Sequence, residues 1–524
     1  MSLDSTLNKL RTAGNMSQEQ FAELLGVSRQ SVQKWESGAC VPELDKLIKI
    51  AKYFDVSLDS LILGRDDRFV GEMTFEKKLF PKYGAMSKWE IYCADLMIEY
   101  EQCIDEGLDV KEYAELFRAV SRLPRNGIRN RLSEVIFDVV INAKTVAGYP
   151  YDEPSDLEGI RRLRRATPTL PPPDSSALAG KILGAWTGRV CGCLLGKPVE
   201  GVRTDELVPF LKDCGNYPMH RYIMKCDADE SIMKKYGFGI SDGCCADLID
   251  GMPIDDDVNY TVLAQRMIER HGRDFTSSDV SRDWMTLLSR YSCCTAERAA
   301  YRNFVNGFEP PESAVYKNPY REWIGAQIRG DYFGYINPGN PELAAEMAHR
   351  DACVSHVKNG IYGEMFVAAM LGAAACTDDF ETVVSCGLAQ IPYTSRLYAA
   401  VSDVLNGYRN GIPAEQCFAD IHRRYDEHTE YGWCHTVPNA MIVAACILYG
   451  GGDFSKSVCM AVETGFDTDC NGATVGSVVG MAKGIGCIGE NWTKPLNDTV
   501  HTSVFGTEVS SISDMAALTL RHIG

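Results

Sequence analysis

Asp467 and Asp469 stand one residue apart in ETGFDTDCNGATVGSVVG, residues 463–480, a stretch without Lys or Arg. Two carboxylates at that separation repel each other, and their neighbours are small and mostly apolar. Gly472, Gly476 and Gly480 recur every four residues, with Ala473 and Ser477 beside them. That spacing makes a flat ridge on one helix face, suited to close approach by another helix. The aspartates therefore sit at the N-terminus of a tightly packed helix, where the dipole offsets about 0.3–1 kcal/mol each. This is too little to hold paired carboxylates in an apolar setting; a divalent cation would suffice. A second stretch, GMPIDDDVNYTVLAQRMIERHG, carries Asp255, Asp256 and Asp257 just ahead of a helix (Val258, Val262, Leu263, Met267) that ends at Gly272. Again no base is adjacent. Oxygen ligands without His or Cys select hard ions, so Mg²⁺ (or Mn²⁺) is expected rather than Zn²⁺. Four or five carboxylates converging from two places in the chain could hold two such ions. A solvated capping loop at 255–257 and an isolated cap at 467–469 are the plainer alternatives.

The chain that must bring these groups together has 524 residues, 45% hydrophobic and 24% charged, the balance of a soluble globular protein of two or three domains. Met365 to Cys376 and Ala440 to Tyr449 are too short to span a membrane and fit buried core helices. The N-terminus, MSLDSTLNKLRTAGN, has no apolar signal core. Twenty cysteines are scattered without CxxC spacing; CGC at 191–193 and the pairs Cys244–Cys245 and Cys293–Cys294 lack a matching His/Cys set. They read as reduced, small, mostly buried residues of a cytoplasmic protein. The net charge of −18 argues against broad nucleic-acid affinity for the whole molecule, though not against a local DNA-reading module.

Residues 1–64 form a self-contained helical pattern. Ser17 caps a helix that Gly26 ends, and Ser28 starts another through Val32 and Trp35. Pro42 opens a further helix, and Val56, Leu58 and Leu61 complete the core. Two short helices across a Gly-centred turn make a helix-turn-helix. Residues 65–85 read as a linker, and 86–145 as a helical region, either a small domain or a dimerisation arm. Residues 146–176, with TPTLPPPDSS, read as a Pro-containing connector. Residues 177–524, rich in Ala, Gly and Cys with long helical periodicities, read as one large all-α domain.

Residues 16–62 resemble the phage-repressor (Cro/C1, XRE-type) family. The resemblance implies that Arg29, Gln30 and Lys34 face bases while Gln18 and Ser28 hold phosphates. Residues 1–64 hold seven Lys/Arg and eight Asp/Glu, so nonspecific affinity is weak and a homodimer is needed for useful binding to double-stranded DNA. A retained protein-interaction module is the other reading of this head.

IDDDVNYT, GFDTDCNGATVGSVVG and GAWTGRVCGCLLGKPVEG together resemble the ADP-ribosylglycohydrolase family over residues 177–524. The resemblance implies an all-α fold with two Mg²⁺ ions in a cleft. It assigns Asp256 and Asp257 to a first aspartate pair, Asp467 and Asp469 to a second, and Glu200 to a glutamate near the metals. EWIGAQIRGDYFGY resembles the loop that cradles a diphosphate and distal ribose, implicating Gly325, Gln327 and Arg329, although a salt bridge between Arg329 and Asp331 is an equal alternative. His356 falls where a cleft histidine contacts ligand. Two positions depart from the family. Its Thr-Asp-Asp-Thr reads Asp255-Asp256-Asp257-Val258 here, and the Thr or Ser after the second pair is Cys470, a poor partner for Mg²⁺.

The implied activity is Mg²⁺-dependent removal of ADP-ribose or a related ribosyl group from an acceptor. Metal ions would orient ribose hydroxyls and polarise a water, with Glu200 or a metal-held aspartate, Asp256 or Asp257, as base. The alternative is a transcription regulator whose hydrolase-like domain senses ADP-ribose or a nucleotide without turning it over.

Overall fold

A computed structural model describes residues 3–63 and 81–523. The chain separates into two compact units, Met1–Lys82 and Tyr83–Gly524. Most of the linker expected at 65–85 lies outside the described residues, and Tyr83–Ala85 forms a short 3₁₀ turn.

The smaller unit has five helices among its described residues: α1 (Leu3–Ala13), α2 (Gln18–Leu25), α3 (Arg29–Glu36), α4 (Leu44–Tyr53) and α5 (Leu58–Leu63). Ser17 caps α2 in a capping box with Gln20, and Gly26 closes it in the left-handed region at φ 71°. The Ser28 hydroxyl accepts from the Ser31 amide to start α3. Leu7, Phe21, Val32, Trp35, Ile50 and Leu61 share one core. The sequence reading did not foresee α1, although Leu7 is fully buried.

In the larger unit, α6 (Leu96–Asp105) and the helices Ala114–Ser121 and Gly127–Asn142 close a satellite core around Leu96, Phe117 and Ile136. This region packs on the rest of the unit through buried polar contacts. Arg321 pairs with Glu99 at 2.7 Å and Glu106 at 2.6 Å, and Gln102 donates to Glu322 at 2.7 Å. The Pro-containing stretch is more than a spacer, since it includes a helix at Leu157–Arg162 and sends Glu153 inward to Arg396 at 2.8 Å.

The main body is all-α apart from a small antiparallel pair, β1 (Thr499–His501) with β2 (Val509–Ser511). Its axis is α7 (Leu178–Gly196) against α10 (Thr468–Lys483), flanked by α8 (Asp256–His271) and α9 (Lys358–Ala374). The glycine ridge on α10 meets a second one on α7. A Cβ on Gly188 would stand 2.1 Å from the Gly476 carbonyl oxygen, and one on Gly192 1.9 Å from that of Gly472. Only glycine permits this backbone-to-backbone approach. It seats the first turn of α10 on the end of α7, where the Thr468 hydroxyl donates to the Gly196 carbonyl at 3.0 Å. Among the described residues no helix is long and apolar enough to cross a membrane.

Candidate acidic centre

Three chain segments deliver carboxylates to one place. Asp255 is the N-cap of α8, its Oδ1 accepting from the Asp257 amide at 2.9 Å. Asp467 precedes α10 and Asp469 lies in its first turn. Phe466, just before them, holds φ at 56°, a left-handed conformation that costs a non-glycine residue roughly 1–3 kcal/mol. Surrounding contacts hold that turn: the Asp467 amide donates to Asn439 Oδ1 at 3.2 Å, and Asn471 Nδ2 donates to the same oxygen at 2.8 Å. The third segment is the turn after α7, with Lys197 and Glu200.

Ligand atoms of Cys193, Asp255, Asp257 and Asp469 all lie within 4.8 Å of one another, as do those of Asp467, Asp469 and Cys470. Asp256 belongs to neither group and is half-buried. Glu200 has an exposed side chain beside the cluster. Burial, with Asp255 next in weight, pushes Asp257 well above the usual carboxylate range, although Arg189 opposes it. Burial and the charges of Glu200, Asp255 and Asp467 do the same to Asp469. Burial and Asp255 bring Asp256 up to about 7, and loss of solvent together with Asp467 and Asp256 brings Glu200 to about 8. The Oδ1 atoms of Asp467 and Asp469 have no hydrogen-bond partner.

Bases absent from the local sequence arrive through the fold. Lys197 Nζ lies 2.6 Å from Asp255 Oδ2. The fully buried Arg189 donates to the Asp257 carbonyl at 2.6 Å, pairs with its Oδ1 at 3.4 Å, and pairs with Asp331 at 3.0 Å. Thiols arrive too. Cys470 Sγ is 3.1 Å from Asp257 Oδ2, Cys434 Sγ is 3.4 Å from Asp467 Oδ2, and Cys193 stands within the first group. Sulfur atoms therefore stand beside the carboxylates, neighbours that the reading of an oxygen-only set did not include.

The residues implicated in substrate binding divide. Gly325 is required where it is, because a Cβ would fall 2.1 Å from Glu297 Oε1. Its loop is tied to the centre by Ile324, whose amide donates to the Cys434 carbonyl at 2.9 Å. Gln327 is fully buried with both side-chain polar atoms unpartnered. Arg329 does not pair with Asp331; it is buried against Asp351 at 2.6 Å, Glu297 at 2.7 Å and Glu364 at 3.5 Å. With three carboxylates around it, its charge is spent inside the protein. His356 is fully buried, its Nδ1 2.8 Å from Ser355 Oγ and its Nε2 without a partner. It also borders a largely apolar cavity of about 920 Å³ with Phe137, Val357 and Ile361, which none of the clustered aspartates line.

In the head, Arg29, Gln30 and Lys34 are exposed on α3. Arg29 makes a surface pair with Glu19 at 2.9 Å. Gln18 donates to Glu36 at 2.8 Å, and the Ser28 hydroxyl is occupied in capping α3.

The sequence reading missed Lys197, Arg189, Cys193 and Cys434 as neighbours of the centre. Lys197 stands three residues before Glu200, and Gly184, Gly188, Gly192 and Gly196 repeat the four-residue spacing of α10. Those were readable signals; Cys434 had none.

Residues 174–522 match the ADP-ribosylglycohydrolase family model, and residues 7–61 match a helix-turn-helix model. The head is similar to the HTH-type transcriptional activator BcrR of Enterococcus faecalis, at 44% identity over 66 residues, 13% of this chain and 32% of that protein. It is 37% identical over 65 residues, 12% of this chain, to an uncharacterized HTH-type transcriptional regulator, MJ0272, of Methanocaldococcus jannaschii, whose length it covers to 98%. The chain spans 32% of the activator, and 58% and 54% of two Bacillus subtilis regulators that it matches at 38% identity. A solved ADP-ribosylglycohydrolase-related protein complex aligns at 18% identity and TM-score 0.42, over 66% of this chain and 98% of that one.

Proposed function

The chain belongs to the ADP-ribosylglycohydrolase family, with an XRE-type helix-turn-helix at its head, and we propose that it is a divalent-cation-dependent hydrolase releasing ADP-ribose, or a related ribosyl group, from a modified acceptor. The observation that carries this reading is the convergence of Asp255 and Asp257 with Asp469, across some two hundred residues of chain, around buried carboxylate oxygens that no protein donor satisfies. Unpaired buried carboxylates are unfavourable, and a cation such as Mg²⁺ or Mn²⁺ relieves them. The residues fit a cation in either of two overlapping groups, Asp255 and Asp257 with Asp469 or Asp467 with Asp469, with Asp256 at the margin.

When bound, such a cation supplies Lewis acidity that orients ribose hydroxyls and polarises water. The chain supplies the rest. Glu200, exposed beside the cluster, would accept the proton of the attacking water in its ionised form, which a bound cation beside Asp467 and Asp256 would favour. Excess carboxylate charge favours the oxocarbenium character that develops at the ribose carbon. The Gly325 loop offers backbone amides to a diphosphate, and Gln327 carries unspent hydrogen-bonding capacity. On the head, Arg29, Gln30 and Lys34 are the candidates for reading double-stranded DNA from a homodimer.

A second reading has its own support. Both oxygens of Asp255 are engaged, by Lys197 and by the Asp257 amide, and Cys470 replaces a hydroxyl. These features suit a regulator that senses ADP-ribose without turnover. A release assay on ADP-ribosylated arginine, serine and nucleic-acid substrates, with Mg²⁺, Mn²⁺ or EDTA, separates the two. Hydrolysis predicts free ADP-ribose that EDTA and Asp256→Ala abolish; specific DNA binding with release from no substrate supports the sensor.

A further inference from the structure

The acidic centre has two halves that differ in what already neutralises them. On one half, Lys197 pairs with Asp255 at 2.6 Å and Arg189 leans on Asp257. On the other half, Asp467 and Asp469 are each about 97% buried, with an unpartnered Oδ1 apiece and no ion pair to Lys, Arg or His among the described residues. Their third neighbour is a sulfur: the ligand atoms of Asp467, Asp469 and Cys470 lie within 4.8 Å of one another.

We propose that this chain takes one divalent cation rather than two, at Asp467, Asp469 and Cys470 with the Cys470 sulfur as a ligand, and that the Lys197 ammonium occupies the role of a second cation beside Asp255. The proposal rests on the cation-dependent reading above and specifies its metal. The charge balance supports it. Asp255 adds a negative charge where the resembled family has a threonine, and Lys197 adds the positive charge that cancels it within the same half. A dication brought beside Asp255 would have to displace or repel that ammonium; one held by Asp467, Asp469 and Cys470 meets no direct ion pair to Lys, Arg or His among the described residues, although Asp469 also borders Asp255. Binding through Cys470 exchanges the thiol proton for the metal–sulfur bond, releasing one proton to solvent. A sulfur ligand also changes the choice of ion. Thiolate donors favour Zn²⁺, Co²⁺ and, less strongly, Mn²⁺ over Mg²⁺.

The test is a Co²⁺ titration of the full chain after chelator treatment, followed by gel filtration, elemental analysis and absorption spectroscopy. The expected result is one cobalt per chain with a sulfur-to-cobalt charge-transfer band in the near ultraviolet. The band should vanish in Cys470→Ser while cobalt still binds. The paired change Lys197→Met with Asp255→Thr removes both charges together, so no buried charge is left alone, and should raise the count to two. A chemical-denaturation curve for each variant identifies any that do not fold, and the wild-type count and spectrum stand without them. Two cobalt ions per wild-type chain, or saturation without the sulfur band, would overturn this proposal and leave cation-dependent hydrolysis intact. Binding of no cation at all would remove both.

Discussion

Two buried collections of charge in the larger unit are built in opposite ways. Where the satellite helices meet the main body, every carboxylate has a cation: Arg396 holds Glu153 and Glu322, Arg321 holds Glu99 and Glu106, and Lys358 reaches Glu106 at 2.6 Å. At the acidic centre carboxylates outnumber cations. Burial opposes ionisation in both, yet Arg396 and His435 bring Glu322 well below the carboxylate range, while the neighbours of Asp469 push it well above. The comparison teaches that burial alone does not mark a functional site. The unbalanced sign is what makes the acidic centre the candidate, because strongly perturbed titratable groups cluster at functional sites.

If the imbalance is the site, removing one of its charges has the largest effect on function and the least on folding. Asp469→Asn should weaken cation binding by more than about 100-fold, beyond the range for outer-shell partners, and abolish release of ADP-ribose. The same variant should melt no lower than wild type in EDTA, since the neutral amide stands in for a carboxyl group that its surroundings already hold towards the protonated form. The balanced network should behave conversely. Arg396→Met strands two buried glutamates and should cost about 3–5 kcal/mol in chemical denaturation, with or without divalent cation. Gly188→Ala should cost about 1–3 kcal/mol, because its methyl group forces α7 off α10.

The pH response sharpens the contrast further. Asp256 and Glu200 have folded pKa values raised to about 7 and about 8, against about 4 in an unfolded chain. Stability tied to their protonated forms is complete below pH 4 and lost as pH rises through 7 and 8. Melting temperature in EDTA should therefore fall between pH 5 and 8, and saturating divalent cation should flatten that fall. The smallest effect belongs to the head, where Ser17→Ala should cost about 1 kcal/mol by removing the α2 cap, without altering cation affinity.

What the sequence disclosed and what it hid follow the same physical division. Caps at Ser17 and Gly26, the ridge at Gly472, Gly476 and Gly480, and the two aspartate runs are local signals, and each stands where its spacing implied. The basic partners were invisible because pairing across the fold leaves no local trace: Lys197 and Asp255 are 58 residues apart, and Arg189 and Asp331 come together only when α7 is packed. The thiols were misjudged for a related reason. CGC reads as a small buried run, and nothing in it shows that Cys193 faces aspartates. For Arg329 the alternative to a ligand role was a neighbour in sequence, Asp331, but the guanidinium found Asp351 and Glu297 in space. Proline composition made 146–176 look like a spacer and concealed that Glu153 is a structural anchor.

Calorimetric titration of a divalent cation into chelator-stripped full-length protein, beside Asp469→Asn under the same conditions, tests most directly whether the unbalanced carboxylates exist to hold metal. Saturable binding to wild type that the single substitution removes is the predicted outcome. A wild-type chain that takes up no cation, or a variant that binds as tightly as its parent, would contradict the account.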